Sequence, residues 1–289
     1  MRSRAPTILA AAVATVLAVL TAGCARGTWP DPAVNHYVRG QLLAEAGDTE
    51  AALRELTRAT AADPDLAAAY EAIGDIHRHS GDYELASRAY QSACRSNPYA
   101  FRPHYNLGVT YQALAAAAQA ARTIETYLRE AVQVYLRAVT IKPGNYEANL
   151  NLSACYFELG KYPLAEQYCR AAIEARPDSA AAYSNLGVIC DSQGRLWDAV
   201  RAYKASLDLD VDQPEVLLNL GSTYLRQQRV EAALATYRLT AEHAPDLADP
   251  WERMGHCHFR MGNIDEARRC YEKAVEIDPD HAWAHRGLG

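Results

Sequence analysis

Residues 249–282 read DPWERMGHCHFRMGNIDEARRCYEKAVEIDPDHA, and the spacing inside that stretch decides the fold. A small residue, Gly255, is followed by a turn glycine, Gly262, then by Ala267, Tyr271 and Pro279. Two short apolar-striped segments separated by a Gly and closed by a Pro predict a pair of helices. Working outward from this stretch, the same marks recur every 34 residues back to Ala33. The small place is Gly40, Gly74, Gly108, Ser153, Gly187, Gly221 and Gly255. Twelve residues on stand Ala52, Ala86, Ala165, Ala199, Ala233 and Ala267, and the third unit reaches Ala131 after an insertion. Pro64, Pro98, Pro143, Pro177, Pro245 and Pro279 close six of the seven units, with Val211 in the remaining place. Gly47, Gly81, Gly160, Gly194 and Gly262 mark turns between helices. Asp65, Asp178, Asp246 and Asp280, each just after a Pro, are expected to cap the helix that follows.

This pattern resembles the tetratricopeptide-repeat (TPR) family over residues 33–281. The resemblance implies an all-α, right-handed superhelical solenoid of seven helix-turn-helix repeats plus a partial eighth, residues 282–289. That last segment is either a short cap or the start of a repeat continued beyond Gly289. A helix pair cannot bury its apolar face alone, so neighbouring repeats stack. Tyr90, Tyr203, Tyr237 and Tyr271 fill the large place of the second helix, against Tyr111, Tyr156 and Tyr224 of the first. The third unit, residues 101–145, carries an 11-residue insertion around Ala115–Ala121. Eleven residues are about three helical turns, so added helix need not rotate the stacking faces. Thr123 is the expected cap of its second helix. The insertion is read either as a plain helix extension or as a protruding contact feature.

The N-terminus reads as an export signal. Arg2 and Arg4 precede an apolar run from Ile8 to Ala22, a length suited to a secretory segment and short of the roughly 20 residues of a membrane span. Leu20-Thr21-Ala22-Gly23-Cys24 resembles the lipobox of bacterial lipoproteins, except that Thr21 stands where that family usually has Leu. The resemblance implies a signal peptide over 1–24, lipid on Cys24, and a short tether, residues 25–32, stiffened by Pro30 and Pro32. It implies a lipid-anchored protein of the bacterial cell envelope, on the outer membrane facing the periplasm. The competing reading is cleavage after Ala25 and release as a soluble protein.

Removing the first 24 residues, with two Arg and no acid, takes the formal charge from −6 to −8. An acidic chain without a Lys/Arg cluster is a poor nucleic-acid binder. Six cysteines remain after Cys24, none in a C-x-x-C spacing, so no metal site is expected. Cys169 and Cys190, on adjacent helices, are the pair placed to form a disulfide if any does. His256-Cys257-His258 cannot converge on one ion, because successive helical residues point about 100° apart. No nucleophile, phosphate loop or paired carboxylate is evident; no catalytic residue and no cofactor are assigned.

The feature that points to a partner is a row of amides. Asn106, Asn151, Asn185 and Asn219 each stand two residues before the small place of four consecutive repeats. A side-chain amide offers one acceptor and a donor, as a peptide unit of an extended chain does. A similar asparagine ladder lines the superhelix of the glycosyltransferase that adds N-acetylglucosamine to Ser and Thr, where it holds peptide backbone. Beside these residues the inner face is expected to carry Tyr105, Leu150, Ser184, Leu218, Gln112, Phe157, Asp191 and Leu225. The peptide-binding set is thus Asn106, Asn151, Asn185, Asn219, Tyr105 and Phe157. The carboxylate clamp of chaperone-binding TPR proteins is absent.

The function expected is a non-catalytic, membrane-anchored scaffold for a protein or extended peptide, similar in plan to the lipoproteins that help assemble pilus secretins. The alternative is a recruiting arm for an enzyme, such as a glycosyltransferase, acting in trans or encoded beyond residue 289.

Overall fold

A computed structural model describes residues 31–289 of the chain. The signal segment, Cys24 and most of the tether lie outside the described residues. The described residues form two compact units, the first ending at Tyr127 and the second running from Leu128 to Gly289. The first holds α1 (Pro32–Glu45), α2 (Thr49–Ala62), α3 (Ala67–His79), α4 (Tyr83–Ser96) and α5 (Phe101–Ala117). The helix α6 (Ala121–Ile141) runs through the boundary. The second holds α7 (Tyr146–Glu158), α8 (Tyr162–Ala175), α9 (Ala180–Ser192), α10 (Leu196–Leu209), α11 (Pro214–Arg226), α12 (Val230–His243), α13 (Asp249–Arg260), α14 (Ile264–Ile277) and α15 (Ala282–Leu288). There is no strand among the described residues. The fold is an all-α solenoid of helix-turn-helix repeats.

Six of the seven pairs are turned by the same local chemistry. Where α1 gives way to α2, the N–H of Asp48 reaches back to Leu43 O at 2.9 Å and that of Gly47 to Ala44 O at 3.0 Å. That closure needs a left-handed residue, and Gly47 takes it at φ 82° without a Cβ penalty. The same closure recurs from Asp82 to His77, Lys161 to Tyr156, Arg195 to Cys190, Arg229 to Tyr224 and Asn263 to His258. In the turn after α11 the left-handed residue is Gln228 at φ 64°, where the other five turns have Gly.

The small place works by close approach. A Cβ on Gly187 would lie 2.5 Å from the ring of Tyr203, and one on Gly74 2.6 Å from that of Tyr90. Tyr90, Tyr203, Tyr237 and Tyr271 therefore each pack against the glycine of their own first helix, and in the first repeat Leu56 does so against Gly40. The fourth repeat changes both partners at once. Ser153 replaces the glycine, Cys169 stands where five of the other repeats have Tyr and the first has Leu56, and Ser153 Oγ donates to Ala165 O at 2.8 Å. A thiol is small enough to leave room for the hydroxymethyl group. Tyr156 stacks on Tyr168 instead, centroids 5.6 Å apart.

Two expectations are corrected. The aspartates after the prolines do not cap the next helices; the N-caps are Leu66, Ser179, Ala248 and His281. It is the Asp or Asn before the Pro that works, its Oδ1 accepting an N–H two residues on. Asp63 takes the N–H of Asp65 at 2.9 Å, Asn97 that of Tyr99 at 3.2 Å and Asp278 that of Asp280 at 3.1 Å. Such a side chain closes its own turn more readily than it reaches forward. In the third repeat Thr123 does not cap α6, which already starts at Ala121 and bonds Thr123 N to Ala120 O. The insertion is divided: α5 is 17 residues long against 13 for α3, and α6 is 21 against 14 for α4. The four and seven extra residues are together the eleven of the sequence, and the turn between, residues 118–120, stays as short as the others.

Candidate functional site

The asparagine places sit at the same point of each first helix, two residues before the small place, but they do not share one fate. In the first unit Asn106 Nδ2 donates to Asp75 Oδ1 at 3.2 Å. Asp75 follows Gly74 directly, one repeat earlier, and also accepts the Tyr90 hydroxyl at 2.6 Å. Burial and this bond to Asp75 push the Tyr90 phenol well above its ordinary range. Arg102 spans the edge of the cluster, with Nε 2.9 Å from Glu71 Oε1 and Nη2 3.8 Å from Asp75 Oδ2. Tyr105 stacks on Phe101, centroids 5.7 Å apart. Asn106 is thus a fastening between two repeats.

In the second unit Asn151 Nδ2 donates to the Tyr135 hydroxyl at 3.3 Å. Asn185 and Asn219 differ. They stand on α9 and α11, which touch one another, and neither amide has an intramolecular partner among the described residues. Asn185 is half-buried and Asn219 exposed. The reason lies one repeat back. The rung residue reaches the residue that follows the preceding small place, as Asn106 does to Asp75. Arg253, in the rung place of the seventh repeat, does the same, donating from Nη1 to Ser222 Oγ at 3.1 Å. For Asn185 and Asn219 the corresponding residues are Ala154 and Val188, whose side chains carry no acceptor. Both amides are left to the surface.

The neighbours of the open rungs are neutral or neutralised. Leu150, Ser184, Leu218 and Leu225 are all half-buried. Phe157 leans on Tyr162 with centroids 5.6 Å apart. Asp191, the acid expected on this face, accepts Thr223 Oγ1 at 3.0 Å and is paired with Arg226. What remains is two free amides between apolar patches, an arrangement able to donate and accept along a main chain.

The thiols give no sign of chemistry. All six described cysteines are free, Cys169 and Cys190 among them. Burial pushes Cys94, Cys155 and Cys169 up to about 12 and Cys257 to about 11, the opposite of an activated nucleophile. Among the described residues no three His, Cys, Asp or Glu side chains gather where they could hold a metal. Cys257 is buried while His256, about 100° round the helix, is exposed. Among the same residues no helix is long and apolar enough to cross a membrane.

Sequence reasoning missed Arg253 in the rung place and the tie of Asn106 to Asp75. Comparing each rung with the residue 31 places before it would have found both.

The tetratricopeptide-repeat family description matches residues 248–281. Among solved structures the chain is similar to YrrB, a TPR protein with an unusual peptide-binding site: 19% identity, TM-score 0.57, covering 70% of this chain and 98% of that one. It is similar to PilF of Pseudomonas aeruginosa at 19% identity and TM-score 0.58, covering 76% and 95%. A tetratricopeptide repeat protein of Parabacteroides merdae matches at 16% identity and TM-score 0.58, covering 89% and 97%. These likenesses are of fold. No curated protein sequence matches the chain. A single family description, the Cilia and flagella-associated protein 70 C-terminal domain, matches residues 8–248, most of the chain, and the chain belongs to that family.

Proposed function

We propose that this chain is a non-catalytic scaffold that holds an extended polypeptide across the first helices of repeats 4 to 6, gripping its backbone with Asn185 and Asn219. The observation that carries this reading is the pair of unsatisfied amides at equivalent places on touching helices, beside rungs whose amides are already spent. A polypeptide binding there replaces water on two donors and two acceptors and lays apolar side chains on Leu150, Leu218 and Leu225. The same reading anchors the protein by lipid on Cys24 in a bacterial envelope, on the outer membrane and facing the periplasm, as an assembly factor for a complex such as a pilus or secretin. The short apolar run and the small residues before Cys24 support it.

A peptide array probed with the full chain supplies ligands, whose affinity is then read by fluorescence anisotropy. The Asn185→Ala, Asn219→Ala double variant should bind them about ten- to thirty-fold more weakly, at about 1 kcal/mol per lost hydrogen bond. Its melting temperature should match the parent, because neither amide holds the fold. Undiminished binding by the double variant would overturn the assignment. Mass spectrometry of the mature N-terminus tests the anchor; an unmodified start at Arg26 would sink it.

A further inference from the structure

The turn between α9 and α10 and the turn after α11 share a depression of about 500 Å³, lined by Gly194, Arg195, Leu196, Trp197, Asp198 and Gln227. It lies at the turns, away from the asparagine rungs. Trp197 is out of pattern there. Three residues after the turn residue, the other repeats have Glu50, Glu84, Pro163, Glu231 and Asp265. An acid in a helix's first turn is stabilised by the backbone dipole. Here that place holds an indole 68% exposed to solvent, which gives the helix start no such charge. The neighbouring turn is out of pattern too, since Gln228 takes the left-handed conformation that glycine takes elsewhere. Sparsely populated backbone conformations gather at functional positions. Just before it, Gln227 Nε2 is buried without an acceptor, while its Oε1 receives Arg229 Nη1 at 3.5 Å. Arg229 in turn sits over the Trp197 and Tyr224 rings, 5.7 and 4.6 Å from their centroids.

The free groups of this depression are donors. Gln227 Nε2 is one, and α10 begins without a side-chain cap, which leaves its first N–H groups open. The acceptors are spoken for: the Asp198 carboxylate is held by Arg195 at 2.6 Å and by Arg201, and Glu166 by Arg195 at 2.6 Å. An anion is disfavoured beside these two carboxylates. An ordinary peptide would bring N–H groups with no acceptor to meet them. A proline-rich segment brings carbonyls and no proline N–H, stacks its rings on an indole, and enters already extended. We infer that this turn edge is a second docking surface, separate from the asparagine rungs, and that it takes a proline-rich segment in the polyproline II conformation.

A labelled oligoproline peptide titrated with the full chain, read by anisotropy, tests this. Binding should saturate, and a Gly-Ser peptide of equal length should not bind. Trp197→Glu, which restores the acid common at this place, should weaken binding at least about ten-fold, and Gln227→Leu about three- to ten-fold. Thermal melts of both variants should match the parent. The Asn185→Ala, Asn219→Ala variant should bind oligoproline like the parent; a loss there would move the peptide to the rungs and overturn the proposal. It is equally overturned if oligoproline fails to saturate, or if Trp197→Glu binds undiminished. Sedimentation showing an oligomer that Trp197→Glu dissolves would make the surface a contact between copies, and the proposal would fail.

Discussion

The fourth and fifth repeats lie next to each other, share a period and a turn, and have settled two questions differently. At the seam between their own helices, the fourth uses Ser153 with Cys169 and the fifth Gly187 with Tyr203. At the rung, the fourth ties Asn151 to the Tyr135 hydroxyl, whereas the fifth leaves Asn185 open. The seam difference is one of volume: the Tyr203 ring needs the space that Gly187 leaves, whereas the Cys169 thiol leaves room for the Ser153 hydroxymethyl group. The rung difference is one of acceptors supplied by the preceding repeat. A residue's place in a repeat thus fixes where it points, and its neighbour one repeat away fixes whether it is free to bind.

The seam can be broken outright. Gly187→Leu drives a branched side chain into the Tyr203 ring, where even a Cβ lies at 2.5 Å. It should cost about 3 kcal/mol, read by urea unfolding. A cost below about 1 kcal/mol would mean that the seam yields and that the contrast between the repeats is not one of volume. A sharper experiment exchanges the solutions. Cys169→Tyr alone should destabilise by about 2 kcal/mol, because Ser153 occupies the space the ring needs. Adding Ser153→Gly should recover most of that loss, a coupling that a double-mutant cycle measures directly. Failure of the second change to rescue the first would show the two places to be independent.

The rung contrast predicts smaller effects of opposite kind. Asn185→Ala with Asn219→Ala should reduce peptide affinity, as described above, and leave stability alone. Asn151→Ala should do the reverse, removing about 1 kcal/mol of stability with the loss of its hydrogen bond to the Tyr135 hydroxyl. Its peptide affinity should stay within about two-fold of the parent. Were the two variants to behave alike, the hydrogen bonds seen at Asn106 and Asn151 would not be what distinguishes the rungs.

The period, the small places and the core tyrosines were legible in the sequence because each is a one-residue signal that recurs, the small place in all seven repeats and the second-helix tyrosine in most of them. The caps were misread because Asp63 and Asp65 flank one proline, and composition does not say which closes a turn. The insertion was legible in length and not in division, since polyalanine at 115–118 suits a helix end and a helix middle alike. The free rungs needed two repeats to be compared: Asn185 reads the same as Asn106 until Ala154 is set beside Asp75. Trp197 was visible as a residue but not as an exception, because its strangeness lies in the acids at the same place elsewhere.

The buried thiols have a consequence beyond the absence of catalysis. Only a thiolate attacks an oxidant or another disulfide, and burial holds the Cys155 and Cys169 thiols protonated at neutral pH. Cys155 and Cys169 should therefore exchange with glutathione disulfide on the timescale of local opening rather than of collision. Cys155 and Cys169 thus serve the array as filler, shielded from cross-linking in an oxidising medium by the same packing that they complete.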